Sequence, residues 1–160
     1  MVHGRDRELR VIGHFATGVA VITGNGPDGA VGMTTNALTS LSLDPLLLLV
    51  CFDNTARTLP IVQASGRFGV NVLRDHHGEM SGVFASKLPP ERKFDGVDYT
   101  LDHGVPVLRD ALAWLVCDLR ELIPGGDHTI GIGSVVAMGH DEGEPLVWYR
   151  GRYTSIVPPG

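Results

Sequence analysis

Residues 32–45, GMTTNALTSLSLDP, lead directly into the apolar run 46–51, LLLLVC, with Asp44 the only charged residue before the run begins. Small hydroxyl side chains interleaved with apolar ones suit an extended backbone that approaches something flat or polar on one face. A solvated loop would carry more charge and would not enter a buried strand without a break. Hydroxyls bonding across a sheet edge would explain a few of these residues. Their density beside the apolar run favours the wall of a binding site, and the rest of the chain is arranged around that wall.

Read in order, the chain alternates short β-like segments with turn signals. Leu9, Ile12 and Phe15, with Val11 flanking, recur at helical spacing, which predicts a short amphipathic helix over 5–15. GVAVIT (18–23) is β-rich and precedes Gly24-Asn25-Gly26-Pro27-Asp28-Gly29. That hexamer fits G-x-G-x-x-G, but a dinucleotide motif must open a helix, whereas Pro-Asp-Gly is turn chemistry and a Thr-rich extended segment follows. A β-hairpin is expected there. Asp44-Pro45 punctuates the start of a buried strand over 46–52, and Asp53-Asn54-Thr55 makes a polar turn. Thr58 is expected to cap a helix with Pro60 in its first turn and Gly66 closing it. A strand over 67–73 follows, then a helix over 75–86 with Met80, Val83 and Phe84 inward. Residues 87–99 read as a loop. The segments 111–122 and 128–139 read as strands joined by the turn Pro124-Gly125-Gly126-Asp127, and a further turn over 141–144 leads into 145–149. Many strands, short connections and marginal helices predict a mainly β, closed antiparallel barrel in one domain over 1–160.

Composition narrows the function. The 160 residues are 43% hydrophobic and 19% charged, so a packed core is expected rather than disorder. A net charge of −5 argues against a nucleic-acid surface, which needs a basic stripe. No apolar run reaches membrane-spanning length and no secretory signal opens the chain, so a cytoplasmic protein without a membrane partner is expected. Cys51 and Cys117 lie in apolar segments and read as buried free thiols.

Seven histidines invite a metal reading, but no H-E-x-x-H, C-x-x-C or i, i+4 pair is present, and His76-His77 are neighbours expected to diverge. Surface histidines without a metal site are expected. No G-x-S-x-G elbow is present and the carboxylates are scattered, so hydrolytic chemistry is not indicated. Asn54, Thr55 and Thr58 fit simple capping, yet amides at a helix start also receive phosphate. Arg57, Lys87, Arg92 and Lys93 are cations available to neutralise such a group. His128 stands beside a Gly-Gly turn at a strand start.

Taken in order, several words resemble the flavin reductase family of the FMN-binding split barrel. They are FATGVAVIT (15–23), the stretch 32–45, GVNVL (69–73), FASK (84–87), GDHTI (126–130) and PLVWYRG (145–151), so the likeness spans about residues 9–153. The resemblance implies an antiparallel split β-barrel of Greek-key type with a few short flanking helices, forming a homodimer with flavin near the subunit interface. It implies an NAD(P)H-dependent flavin reductase that moves hydride from NADH or NADPH to FMN or FAD and supplies a flavin-dependent monooxygenase. Thr34, Thr35, Asn36 and Ala37 would line the flavin ring. Ser40, Asn54, Thr55, Ser86 and Lys87 would approach the ribityl and phosphate groups, His128 the nicotinamide or the ring, and Tyr149 and Arg150 would close the site. Gly131 and Gly133-Ser134 depart from the family pattern, which expects bulkier residues and a different local pocket shape. Asn36 departs too, standing where many relatives carry Ser or Ala. A flavin-binding or storage protein, and an oxidoreductase with fixed flavin acting on a small organic substrate, are the other readings open to such a barrel.

Overall fold

Every strand pair in the molecule is antiparallel, and the longest sheet is ordered so that two strands adjacent in the chain end up at its opposite edges. The structure, a computed structural model, describes the backbone from residue 2 to residue 160 and side chains from residue 5 onward. Helix α1 (Val2–Ile12) precedes β1 (Thr17–Gly18), β2 (Ala20–Gly26), β3 (Gly29–Thr35), β4 (Leu38–Leu43) and β5 (Leu46–Asp53). Then come α2 (Thr58–Ser65), β6 (Arg67–Val72), α3 (Gly78–Ala85) and the single turn α4 (Pro90–Lys93). The chain ends with β7 (Tyr99–Asp102), β8 (Val105–Leu108), β9 (Ala113–Gly125), β10 (His128–His140), β11 (Val147–Tyr149) and β12 (Arg152–Thr154).

The seven-stranded sheet has the order β3-β2-β6-β9-β10-β5-β4. Only Asn36 and Ala37 separate β3 from β4, so the two edges must curl towards each other, yet they do not pair. The result is a barrel split along one seam. β2 and β3 form the expected hairpin, with Gly26 opposite Gly29 and φ of +111° at Gly29, a conformation that favours glycine. The Gly-rich hexamer is therefore a turn between strands.

Apolar residues on β2 are buried on both faces. Ala20 and Ile22 join Val50, Phe52, Phe68 and Val70 inside the barrel, and Val19 and Val21 join Leu73, Phe84 and Leu146 beneath α3. Such double coverage explains the unbroken apolar run of this strand. Asn71 is fully buried and satisfied: its amide donates to the Val21 carbonyl and its oxygen accepts the Leu108 amide, which holds the β7–β8 hairpin against the barrel. Gly131 and Gly133 find their reason in this core. An added Cβ would stand 2.6 Å from the Phe52 ring at one position and 2.6 Å from the Phe68 ring at the other. Those rings meet edge to face at 5.8 Å, so the departures from the family pattern serve packing.

Several local expectations are corrected. The helix near the N-terminus is present over Val2–Ile12, but Leu9, Ile12 and, beyond its end, Phe15 are exposed, and no element among the described residues covers them. Arg57, not Thr58, holds the N-cap position of α2, and no side chain caps it; Thr58 is the first helical residue and is buried. Gly66 ends α2 in the left-handed region, as expected. The second helix starts later, at Gly78, and Val83 stays partly exposed while Phe84 is buried. The stretch 87–99 contains the turn α4. Cys51 and Cys117 are free thiols, and burial, with Asp118 adjoining, pushes the Cys117 thiol up to about 12.

Candidate functional site

A cavity of about 360 Å³ lies where β3, the start of α2, and the α3–α4 segment meet. Its wall on the barrel side is Val31–Thr34 of β3, whose last three residues begin the hydroxyl-rich stretch 32–45. Gly32 lets the helices close on that wall, since a Cβ there would lie 2.8 Å from the Phe84 ring and 3.4 Å from Phe94. Phe84 and Phe94 pack edge to face at 5.0 Å across the gap. The Thr34 hydroxyl donates to the Ser81 carbonyl at 2.7 Å, and the Ser81 hydroxyl meets the Tyr153 hydroxyl at 2.8 Å, so β3, α3 and β12 are tied together.

The opposite rim is charged. Asp53, Thr55, Ala56, Arg57 and Thr58 line one side, and Ser86, Lys87, Leu88, Pro90 and Lys93 the other. Asp53 Oδ1 accepts the Thr55 amide and the Thr55 hydroxyl, each at 2.7 Å. These two bonds hold the Asp53 carboxyl below its ordinary range, with His128 and Lys87 adding to the effect. Lys93 is half-buried and donates to the Phe84 carbonyl at 3.0 Å and towards the Gly32 carbonyl at 3.5 Å. Burial, and then the charge of Arg57, lower its proton affinity. Neither Arg57, Lys87 nor Lys93 forms an ion pair among the described residues. Three cations thus face one carboxylate in a chain whose net charge is −5.

Of the residues singled out from the sequence, Thr34, Thr55, Arg57, Thr58, Ser86, Lys87 and Lys93 line this cavity. Ser86 turns its hydroxyl to the Val83 carbonyl and accepts the Leu88 amide, so it shapes the rim. His128 opens β10 directly opposite Asp53 in the β5–β10 register, with Nδ1 2.7 Å from Asp127 Oδ1, which places it beside the cavity edge. Asn54 has its amide on the Gly126 carbonyl and its oxygen on the Thr129 hydroxyl, joining the two turns that carry Asp53 and His128. Thr35, Asn36 and Ala37 form the link across the seam, where the Thr35 hydroxyl accepts the Ala37 amide at 3.0 Å. Ser40 sits on β4 opposite Leu48, at a bulge. Tyr149 and Arg150 stand on the small β1–β11–β12 sheet, where the Arg150 amide donates to the Gly13 carbonyl at the end of α1. None of these last six lines the cavity. Arg92 also lies outside it, paired with Asp95 at 3.1 Å. Asp53, on the cavity rim, is not among the residues that the sequence singles out. Its one signal in the sequence is the Asp-x-Thr turn, which by itself reads as punctuation.

The histidines at 76 and 77 converge rather than diverge. Both ring Nε2 atoms approach Asp110 Oδ2, at 3.1 and 2.9 Å, because they lie in the turn before α3 and not in a helix; His77 is buried. His77 Nδ1 accepts the Arg74 amide at 3.0 Å, so its proton sits on Nε2 and points at Asp110. A ring in that tautomer has no lone pair for a metal on the clustered side. Arg74 lies 3.3 Å from the other Asp110 oxygen, and the group is a hydrogen-bonded clasp between the α3 approach and the loop before β9.

Residues 12–157 match the model of the flavin reductase like domain. The chain belongs to that family. A probable flavin reductase of Rhizobium meliloti is 41% identical over 150 residues, 92% of this chain and 48% of that one, so the chain spans about half of that relative. The reductase subunit HsaB of a flavin-dependent monooxygenase from Mycobacterium tuberculosis is 38% identical over 152 residues, covering 92% of this chain and 80% of that one. Among solved structures, the NADH:FAD oxidoreductase SgcE6 of Streptomyces globisporus, in complex with NAD and FAD fragments, superposes with a TM-score of 0.91 at 34% identity, covering 98% of this chain and 94% of that one. Membership makes this flavin reductase-like chain an oxidoreductase, with flavin and a nicotinamide nucleotide as the groups its site must take. The cavity fits such groups: three cations without an ion pair among the described residues suit a phosphate, and the Val31–Thr34 wall of β3 suits a flat ring.

Proposed function

We propose that this protein is an NAD(P)H:flavin oxidoreductase, a cytoplasmic homodimer that reduces FMN or FAD and passes the reduced flavin to a partner monooxygenase. The observation that carries the reading is the cavity itself, in which an excess of positive charge faces the Val31–Thr34 wall of β3, with His128 opposite Asp53 at its edge and no paired acid and base. Flavin, when bound, supplies the two-electron chemistry by accepting hydride from the reduced nicotinamide. The chain's own task is then binding and alignment. Arg57, Lys87 and Lys93 hold the phosphate end. Thr34 and the β3 backbone give a flat wall for the ring, fixed by the Thr34–Ser81 bond. Phe84, packed edge to face on Phe94, gives the cavity an apolar side next to that wall. His128, oriented by Asp127, faces the open side as a positioning or proton-donating group. Thr35, Asn36, Ala37 and Ser40 along the seam extend the ring wall, Asn54 fixes the two turns, and Tyr149 and Arg150 close the site from the small sheet. The exposed apolar face of α1, continuous with that small sheet, suits burial in a homodimer. Similarity to monooxygenase reductase subunits supports the transfer of reduced flavin to a partner oxygenase.

The test is oxidation of NADH and of NADPH by the purified protein, with FMN, FAD or no flavin added. Saturation with added flavin is expected, and it identifies both preferences. Bound flavin with no turnover above free flavin would instead indicate a storage protein. His128→Ala is expected to lower kcat by about tenfold or more while leaving flavin affinity within about twofold. An unchanged rate would remove His128 from the site.

A further inference from the structure

Asp53 is an anion on the rim of a site otherwise built to attract anions. Its Oδ1 is committed to the Thr55 amide and hydroxyl, Oδ2 has no protein partner among the described residues, and the residue lines the cavity. The carboxylate is kept ionised, since two donors and the nearby charges of His128 and Lys87 all favour the charged form. Repulsion from a fixed carboxylate weakens any ligand that is only a phosphate. The same oxygen is a strong acceptor for a ligand that brings hydroxyl donors beside its phosphate.

We infer that Asp53 is a specificity-determining residue that selects a polyol-bearing nucleotide over a bare phosphate or diphosphate. This rests on the flavin reading above, in which the ribityl or ribose hydroxyls occupy the space between the ring wall and the cations. Arg57, Lys87 and Lys93 supply affinity for the phosphate, and Asp53 Oδ2 supplies discrimination by accepting a sugar hydroxyl. The β5–β10 register places Asp53 opposite His128, so the selected hydroxyl chain runs from the phosphate end towards the reacting end.

Asp53→Asn separates the two effects, because the Asn Oδ1 still accepts both Thr55 donors and only the charge and the second acceptor are lost. Asp53→Ser, whose hydroxyl can still accept the Thr55 amide, is the second variant. Calorimetric titrations of the folded proteins with riboflavin and, separately, with sodium pyrophosphate at fixed ionic strength read the outcome. Pyrophosphate is expected to bind about threefold tighter or more in both variants, and riboflavin about threefold weaker or more. Movement of both ligands in the same direction, of only one, or of neither overturns the inference. Wild-type protein that binds pyrophosphate but neither riboflavin nor FMN would overturn the flavin reading itself, and with it the polyol half of this one.

Discussion

Replacing Lys93 by Met keeps an unbranched side chain one atom shorter and removes its charge, and the consequences for stability and for binding differ. In the folded protein the ammonium donates to the Phe84 carbonyl at 3.0 Å and is half-buried beside Arg57, with burial and that neighbour lowering its proton affinity. The lost hydrogen bond and the relieved burial oppose each other, so the stability change is expected to stay within about 1 kcal/mol. Binding is another matter. Unit charges about 5 Å apart attract by about 3 kcal/mol at an effective dielectric of 20 and by less than about 1 kcal/mol in bulk water. A half-buried ammonium at a cavity rim lies between these limits, at about 1.5 kcal/mol, or roughly tenfold in affinity. Lys93→Met is therefore expected to weaken FMN about tenfold and to leave riboflavin, which lacks the phosphate, within about twofold. Flavin fluorescence titrations measure both. The wild-type protein should also lose FMN affinity on the alkaline side at a lower pH than an ordinary lysine would dictate, because Lys93 gives up its proton early. A bound phosphate opposes that loss, and the variant should lack this component of the slope. Equal weakening of FMN and riboflavin, or of neither, would refute a phosphate role for Lys93.

Two further predictions concern the frame. Gly133→Ala puts a methyl group 2.6 Å from the Phe68 ring and 2.7 Å from Cys117 Cβ, and since Cys117 Cβ is anchored to its strand, overpacking should cost about 1–3 kcal/mol and lower Tm by several degrees. Thermal melts followed by circular dichroism check this, and a Tm within about 1 °C of wild type would contradict it. The Asp110 clasp should give stability a defined pH window. Hydrogen bonds from His77 and then His76 lower the Asp110 pKa, so its contribution is present above the unfolded carboxylate range and lost as pH falls through the folded value. Hydrogen bonds from Asp110 and then Asp75 raise the His76 pKa, so its contribution is present below about pH 6.5 and lost as pH rises through the folded value. The Tm difference between wild type and Asp110→Asn should accordingly be widest at about pH 5–6 and narrow on both sides. A difference that does not change with pH would sink that account.

The parts of the fold that were legible are those whose cause is local. Pro27-Asp28 with Gly29 at positive φ makes a hairpin whatever surrounds it, and Gly66 ends its helix by its own backbone freedom. Of the hydroxyl-rich stretch 32–45, only Gly32, Met33 and Thr34 line the cavity, and the rest crosses the seam into β4, a division that sheet order sets and composition does not report. What lay hidden depends on register. Asp53 belongs to the site through the β5–β10 pairing that sets it opposite His128, and nothing within the turn Asp53-Asn54-Thr55 reports that pairing. Gly131 and Gly133 looked like gaps in a pocket, since the rings of Phe52 and Phe68 that fill them come from strands far away in sequence. His76 and His77 would diverge on a helix, but the turn before α3 aims both at Asp110.

The division of labour within the cavity follows from how each wall is held. β3 is an edge strand, but its cavity-facing residues are fixed by pairing with β2 and by the Thr34–Ser81 bond, so the surface proposed for the ring is rigid. The rim that carries Ser86, Lys87 and Leu88 lies between α3, of eight residues, and α4, of four, and helices so short have little stability of their own. Their docking depends on Phe84 and Phe94 against Gly32 and on Lys93 reaching the Phe84 carbonyl. A flavin that arrives and leaves as a substrate needs this asymmetry: a fixed wall to align the ring for hydride transfer, and a rim held by few contacts through which the nucleotide can pass. A permanently held flavin would favour a rim as firmly anchored as the wall.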